Sequence, residues 1–192
     1  INKAVVTEKI EGMENFISEH KFQDFKIDQR IIRAILAKGY DAPTPIQDRI
    51  ISHIIDGSDV VGIANTGTGK TAAFLIPLIN KILLNPKEQV LIVTPTRELA
   101  IQIDKELKSF TKGMRIFSVC CVGGMSIGKQ ISELRYNYNL IIGTPGRLKD
   151  LIERRMINLS RFNTVVLDEA DRMLDMGFIQ DTRFIMNGLP KE

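Results

Sequence analysis

Two short stretches of the chain carry the residue types that phosphate chemistry needs. The first is Ala64-Asn65-Thr66-Gly67-Thr68-Gly69-Lys70-Thr71, which follows the apolar run Val60-Val61-Gly62-Ile63 and opens a long apolar segment. Glycines let successive backbone N–H groups curl around phosphate oxygens, and the positive end of a following helix reinforces them. Lys70 is then placed to reach the β- and γ-phosphates of a nucleotide, and the Thr71 hydroxyl to bind Mg²⁺. The general pattern begins with glycine; here Ala64 stands in that position. The second stretch is Asp168-Glu169, which ends the apolar run Thr164-Val165-Val166-Leu167. Ligands of open α/β sheets collect at strand carboxyl ends. Asp168 is therefore placed to hold Mg²⁺, partly through water, and Glu169 to polarise an attacking water. Paired carboxylates also occur at ordinary solvated strand ends; it is the glycine loop upstream that gives this pair its meaning.

The same residues admit other readings. A glycine-rich turn holding no ligand is the plainest. Gly67-x-Gly69-x-x-Ala72 also satisfies a dinucleotide-binding fingerprint, but that site needs an acidic residue at the end of the next strand. The next apolar run ends in Thr94-Pro95, which cannot hold a ribose. A guanine reader of the form Asn-Lys-x-Asp is approached only by Asn80-Lys81-Ile82-Leu83, which lacks the aspartate and lies in a helical stretch.

The elements that would position these residues follow from periodicity. Short, continuously apolar, β-branched runs at 60–63, 90–93, 116–122, 140–142 and 165–167 suit parallel strands buried on both faces. Between them lie helical spacings. Ile46, Ile50, Ile51 and Ile54 share one face, and Thr44-Pro45 supplies an N-cap with proline at the first helical position. Leu99, Ile103, Glu106 and Phe110 make a second stripe, with Glu106 its imperfect member. Repeated β-α units predict an α/β fold, a mostly parallel sheet with helices on both faces. Residues 1–21 read as a helical or loosely attached extension, and 22–192 as the domain.

Composition sets the class. The 192 residues are 44% hydrophobic and 26% charged, enough apolar content for a real core. No apolar run approaches the ~20 residues of a membrane span. The chain starts at Ile1 rather than Met, and no signal-peptide pattern follows. Its two cysteines are adjacent, Cys120-Cys121, which makes neither a disulfide framework nor a metal site; a reducing cytoplasm is the simplest setting. The net charge of +3 is unevenly placed. From Arg97 to Arg161 there are 12 Lys+Arg against 6 Asp+Glu, while the remaining residues hold 14 against 17. A basic half points to a polyanionic partner, unless the charges are only solvated helix faces.

The stretch Asp168-Glu169-Ala170-Asp171-Arg172-Met173-Leu174-Asp175-Met176-Gly177-Phe178 resembles the DEAD-box helicases almost letter for letter. The resemblance runs from about Phe22 to the end of the chain, with motifs in family order. It implies a RecA-like P-loop fold, ATP and Mg²⁺ as cofactors, and RNA-dependent ATP hydrolysis that opens duplexes locally. Gly39-Tyr40-Asp41-Ala42-Pro43-Thr44-Pro45-Ile46-Gln47 resembles the adenine-reading Q motif, with Gln47 as reader and Tyr40 as stacking platform. The chemistry agrees, since a glutamine amide pairs with the N6/N7 edge of adenine and an aromatic ring offers a stacking face. Phe22 would buttress the site or serve the core. Many family members carry a Lys or Arg where this chain has Ala42, so that contact to the nucleotide is expected to be missing.

The resemblance also assigns the RNA contacts. Pro95-Thr96-Arg97 looks like motif Ia, Gly123-Gly124 the glycine doublet, and Thr144-Pro145-Gly146-Arg147 motif Ib; all lie in the basic segment. Two are strand-to-helix turns whose free N–H groups can receive a phosphate, and without the resemblance all three would read as ordinary turns. RNA would be recognised by backbone and 2′-OH, independently of sequence. The implied partner is a second RecA-like domain carrying an arginine finger, in a monomeric protein. Alternatives are an ATP-dependent RNA clamp without turnover, against which Lys70, Thr71, Asp168 and Glu169 stand, and a DNA-translocating helicase. In the family a central strand ending Ser-Ala-Thr follows soon after the position of Glu192. The chain is therefore expected to continue, and residues 1–192 alone to bind nucleotide weakly without unwinding.

Overall fold

The computed structural model describes residues 5–9 and 18–190, with side chains from Ser18 onward. In chain order the elements are β1 (Val5–Lys9), α1 (Gln29–Ala37), α2 (Pro45–Ile55), β2 (Asp59–Ile63), α3 (Lys70–Leu84), β3 (Val90–Val93) and α4 (Arg97–Phe110). They continue with β4 (Ser118–Cys121), α5 (Ile127–Leu134), β5 (Leu140–Gly143), α6 (Pro145–Glu153), β6 (Thr164–Leu167), α7 (Ala170–Asp175) and α8 (Ile179–Asn187). Short 3-10 turns occupy Phe22–Asp24 and Leu159–Arg161. The chain groups into two units, Ile1–Asn85 with Glu106–Met114, and Pro86–Lys105 with Arg115–Glu192.

The first unit is built around α2, β2 and α3. Ile46, Ile50 and Ala73 form its cluster, with Ile54, Val60 and Ala64 packed against them, so the apolar face expected of α2 is the one that is buried. Gly62 lets α2 come close: a Cβ there would lie 3.3 Å from Ile46 Cδ1. β2 pairs in parallel with β1, Val5 opposite Asp59 through Lys9 opposite Ile63. Two expectations change here. Val5–Lys9 is a strand rather than part of a helical extension, as its β-branched Val5-Val6-Thr7 favours; residues 1–4 and 10–17 of that extension lie outside the described residues. And β2 is largely exposed rather than buried on both faces. Asn80 is 3% exposed inside α3; its Oδ1 accepts the Asp28 N–H at 2.9 Å and its Nδ2 donates to Lys26 O at 3.3 Å. It holds the chain before α1, which removes it as a base reader.

The second unit is a four-stranded sheet in the order β4-β5-β3-β6, parallel throughout. Val90 stands opposite Leu140 on one side and Thr164 on the other, and Ser118 opposite Leu140. All four residues of β3 and of β5 are buried. Side chains alternate between the two faces of a strand, so both faces of the sheet centre are covered. On one face Leu91, Val93 and Ile141 meet Leu134 of α5, Leu148 and Leu151 of α6, Met173 of α7 and Ile185 of α8. β6, expected to be fully buried, is only half-buried along its length, because it ends the strand order. The stripe of α4 also differs by a residue: Ala100, Ile103, Leu107 and Phe110 are buried, while Leu99 and Glu106 are only partly so. The buried set is spaced 3-4-3 against the expected 4-3-4; both are helical spacings, and the two stripes share Ile103 and Phe110.

Parallel strands send all their carboxyl ends to one edge. In the second unit that edge carries Thr94–Arg97 after β3, Val122–Gly124 after β4, Thr144–Arg147 after β5 and Asp168-Glu169 after β6. Every chemically suggestive residue of the unit therefore lies where ligands of such sheets bind.

Candidate nucleotide and nucleic-acid sites

The glycine loop leaves β2 and turns into α3. Gly67 and Gly69 have φ of +83° and +88°, a region that side chains disfavour. Gly69 has a second reason to be glycine, since a Cβ would lie 2.5 Å from Gln47 Nε2. Asn65, Thr66 and Gly67 are exposed at the tip, while Thr68 is buried and its Oγ1 donates to Asn65 O at 2.7 Å. Lys70 Nζ donates to Ala64 O at 2.6 Å, closing the loop on itself. α3 starts at Lys70 with Gly69 as N-cap and no side chain capping it, so its first N–H groups and its dipole face the loop.

Gln47 fastens this loop to α2. It is 2% exposed; its Oε1 accepts the Thr44 N–H at 3.0 Å and its Nε2 donates to Gly69 O at 3.1 Å. Thr44 is the N-cap of α2 and Pro45 its first residue, as expected, and Gln47 closes the cap back onto Thr44. The adenine reader named from sequence thus already spends one N–H and one lone pair on the protein, keeping one of each. Tyr40 packs edge-on against Phe110, ring centroids 6.2 Å apart. Lys38 Nζ lies 4.8 Å from the Phe110 centroid and 5.9 Å from that of Tyr40, and donates to Ser109 Oγ at 2.7 Å. Burial, with the nearby Glu106 carboxylate, raises the Tyr40 phenol above its usual range. Burial raises Glu106 as well. Phe22 is fully buried, edge-on to Phe25 at 6.3 Å, which makes it a core residue; Ala42 is exposed.

The acidic pair belongs to the second unit. The Asp168 N–H donates to Val93 O at 3.0 Å, carrying the β3–β6 ladder one residue past the strand. Glu169 is N-cap of α7 with φ 51° and ψ 49°, a left-handed conformation rare for a residue with a side chain. Its Oε2 accepts from Arg172 Nη1 at 3.1 Å. The backbone turns sharply there, and both carboxylates stay partly accessible.

The three segments expected to meet RNA converge in this same unit. Arg97 Nη1 donates to Gly123 O at 3.3 Å, and its guanidinium occupies the space that a Cβ on Gly124 would need. Gly124 has φ +73°. Arg147 Nη1 donates to Met125 O at 3.3 Å and to Gln130 Oε1 at 3.0 Å. Thr144 is N-cap of α6, Pro145 its first residue, and Gly146 is exposed between them and Arg147. Pro95 is buried, and Thr96 Oγ1 accepts the Leu99 N–H at 3.3 Å in the turn into α4. Gln130 was not singled out from sequence; its signal is a polar residue on the apolar face shared by Ile127, Ile131 and Leu134. Neither cysteine forms a disulfide, and burial pushes the Cys121 thiol up to about 12, so it stays protonated. Among the described residues no helix is long and apolar enough to cross a membrane.

Comparison with known proteins places this geometry. The family model for DEAD/DEAH box helicases matches residues 44–192. The DEAD-box ATP-dependent RNA helicase CshA of Bacillus subtilis (strain 168) is 48% identical over 174 residues, which is 89% of this chain and 35% of that protein. The ATP-dependent RNA helicase CshA of Listeria monocytogenes is 45% identical over 175 residues, 90% of this chain and 33% of that protein. The crystal structure of a DEAD box protein from the hyperthermophile Methanococcus jannaschii superposes with a TM-score of 0.84 at 40% identity, covering 88% of this chain and 47% of that one. This agrees with the RecA-like α/β fold expected from the motifs. The chain spans about a third of the length of the curated relatives it matches. With a family model covering most of its residues and relatives that share nearly half of its aligned positions, the chain belongs to the DEAD/DEAH box helicase family.

Proposed function

We propose that residues 22–192 form the N-terminal RecA-like, ATP-binding domain of an RNA helicase whose ATP hydrolysis drives local duplex opening. The observation that carries this reading is the loop between β2 and α3: two left-handed glycines, an uncapped helix start, and Lys70 at its rim. Such a loop presents backbone donors to a polyphosphate. Lys70 is held by a neutral carbonyl, a partner that a phosphate outcompetes, since charge-assisted hydrogen bonds are the stronger kind. Gln47, beside the loop, is the adenine reader through its remaining N–H and lone pair, and Tyr40 the stacking surface.

Mg²⁺ suits donors of this kind, because it keeps several waters and takes only one or two protein oxygens; Thr71 would be such a donor on the first unit and Asp168 on the second. Once bound, it neutralises charge on the phosphates. Glu169 orients and deprotonates the attacking water, and Arg172 fixes that carboxylate. RNA lies along Pro95–Arg97, Gly123-Gly124 and Thr144–Arg147, held by backbone N–H groups and the two arginines without base reading. A second RecA-like domain of a monomeric, cytoplasmic protein completes both sites.

ATP turnover by the full-length protein, with and without single-stranded RNA, tests this. RNA should stimulate turnover and single-stranded DNA of equal length should not. Equal stimulation by DNA would sink the substrate assignment.

A further inference from the structure

On the loop that follows β4, three carbonyls are each held by a long side chain from elsewhere in the same unit. Val122 O accepts from Gln130 Nε2 at 3.0 Å, Gly123 O from Arg97 Nη1 at 3.3 Å, and Met125 O from Arg147 Nη1 at 3.3 Å. The described peptide bonds are trans, and in a trans peptide the N–H of the next residue points away from the carbonyl. The N–H groups of Gly123, Gly124 and Ser126 are therefore turned away from the three anchors. None of them donates to another backbone group among the described residues. Successive outward N–H groups around a left-handed glycine make a concave anion site.

Gln130 differs from the two arginines in being 3% exposed, with both ends of its amide engaged inside the unit. Its two ends do different work. Nε2 holds the loop at Val122, and Oε1 accepts from Arg147 Nη1 at 3.0 Å. The amide cannot be reversed, because that would set NH₂ against guanidinium and carbonyl against carbonyl. Arg147 commits Nη1 to Gln130 and Met125, which leaves its Nε and Nη2 donors for a phosphate.

We infer that Gln130 is a positioning residue for RNA: one buried amide sets both the glycine-doublet loop and the Arg147 guanidinium, so that backbone donors and a cation meet the same phosphate backbone. The inference rests on the RNA surface proposed above and adds to it a residue that touches no RNA. A buried glutamine can also be no more than a satisfied core residue, and the two roles differ in one measurement.

That measurement is the affinity of the full-length protein for a short single-stranded RNA, in the presence of a non-hydrolysable ATP analogue. Gln130→Met, similar in length without the polar ends, should weaken it about ten-fold, the value of one to two hydrogen bonds including one to a charge. Gln130→Glu keeps the acceptor for Arg147 but turns a second acceptor toward Val122 O, and should fall between. Arg147→Ala should also weaken binding, and the double variant Gln130→Met/Arg147→Ala by less than the product of the single effects, because part of the Gln130 effect passes through Arg147. A general packing defect gives no such coupling. Wild-type affinity in both Gln130 variants, or fully multiplicative effects, overturns the inference while leaving the RNA surface intact. Wild-type affinity in Arg147→Ala overturns the RNA surface and the inference together.

Discussion

The loop from Ala64 to Thr71 and the loop from Val122 to Ser126 are built from the same parts and put together differently. Each turns on left-handed glycine, Gly67 and Gly69 in one and Gly124 in the other. Each has one carbonyl tied by a buried glutamine, Gln47 to Gly69 O and Gln130 to Val122 O. The cations differ. Lys70 sits in its own loop and closes on a carbonyl six residues back, whereas Arg97 and Arg147 arrive from 26 and 22 residues away. The first loop closes on its own lysine and takes an outside tie from Gln47, 22 residues back. The second exists only because parallel pairing brings the ends of β3, β4 and β5 to one edge, so it depends on the sheet.

The contrast can be broken most sharply at Lys70. Lys70→Ala should lower turnover by about 100-fold or more, the usual cost of losing a charge-stabilising donor at a reacting phosphate, while leaving the second loop and its RNA affinity largely untouched. Unchanged turnover would mean that the loop is not the ATP site. The two glycines of the first loop sharpen the comparison further. Gly67→Ala carries only the left-handed cost of about 1–2 kcal/mol, since a Cβ there meets nothing within 4 Å. Gly69→Ala carries the same cost and also displaces the Gln47 amide, so nucleotide affinity should drop clearly more. Equal losses in a titration with a fluorescent ATP analogue would show that the glutamine tie is unimportant. The smallest effect is expected from Gln47→Ala. It should loosen the preference for ATP over GTP by about five-fold, near the worth of one hydrogen bond. An unchanged preference would move adenine reading elsewhere.

The same contrast explains what could be read from the sequence. The first loop is contiguous, so its residues and spacing were visible together, and the capping proline and apolar face of α2 came from local rules. The strands at 90–93 and 140–143 were also legible, because full burial leaves an unbroken apolar run. Pairing order was not, since nothing in a short apolar run says which neighbour it takes; β2 and β6 read like buried strands yet lie exposed and half-exposed. On α4 the chosen stripe held Leu99 and Glu106, whereas packing selected Ala100 and Leu107. The second loop was named only through resemblance, motif by motif. Gln130 stayed hidden because its role lies in two contacts, to residues 8 and 17 positions away.

Glu169 carries a consequence for how this protein tolerates change. A left-handed backbone at a residue with a full side chain is strained by about 1 kcal/mol or more, and glycine or asparagine would relieve it. The position therefore sets durability against chemistry, because the substitutions that steady the start of α7 are those that delete the carboxylate proposed to orient water. Variants selected for heat tolerance alone would be expected to drift away from glutamate here, and variants selected for turnover to return to it.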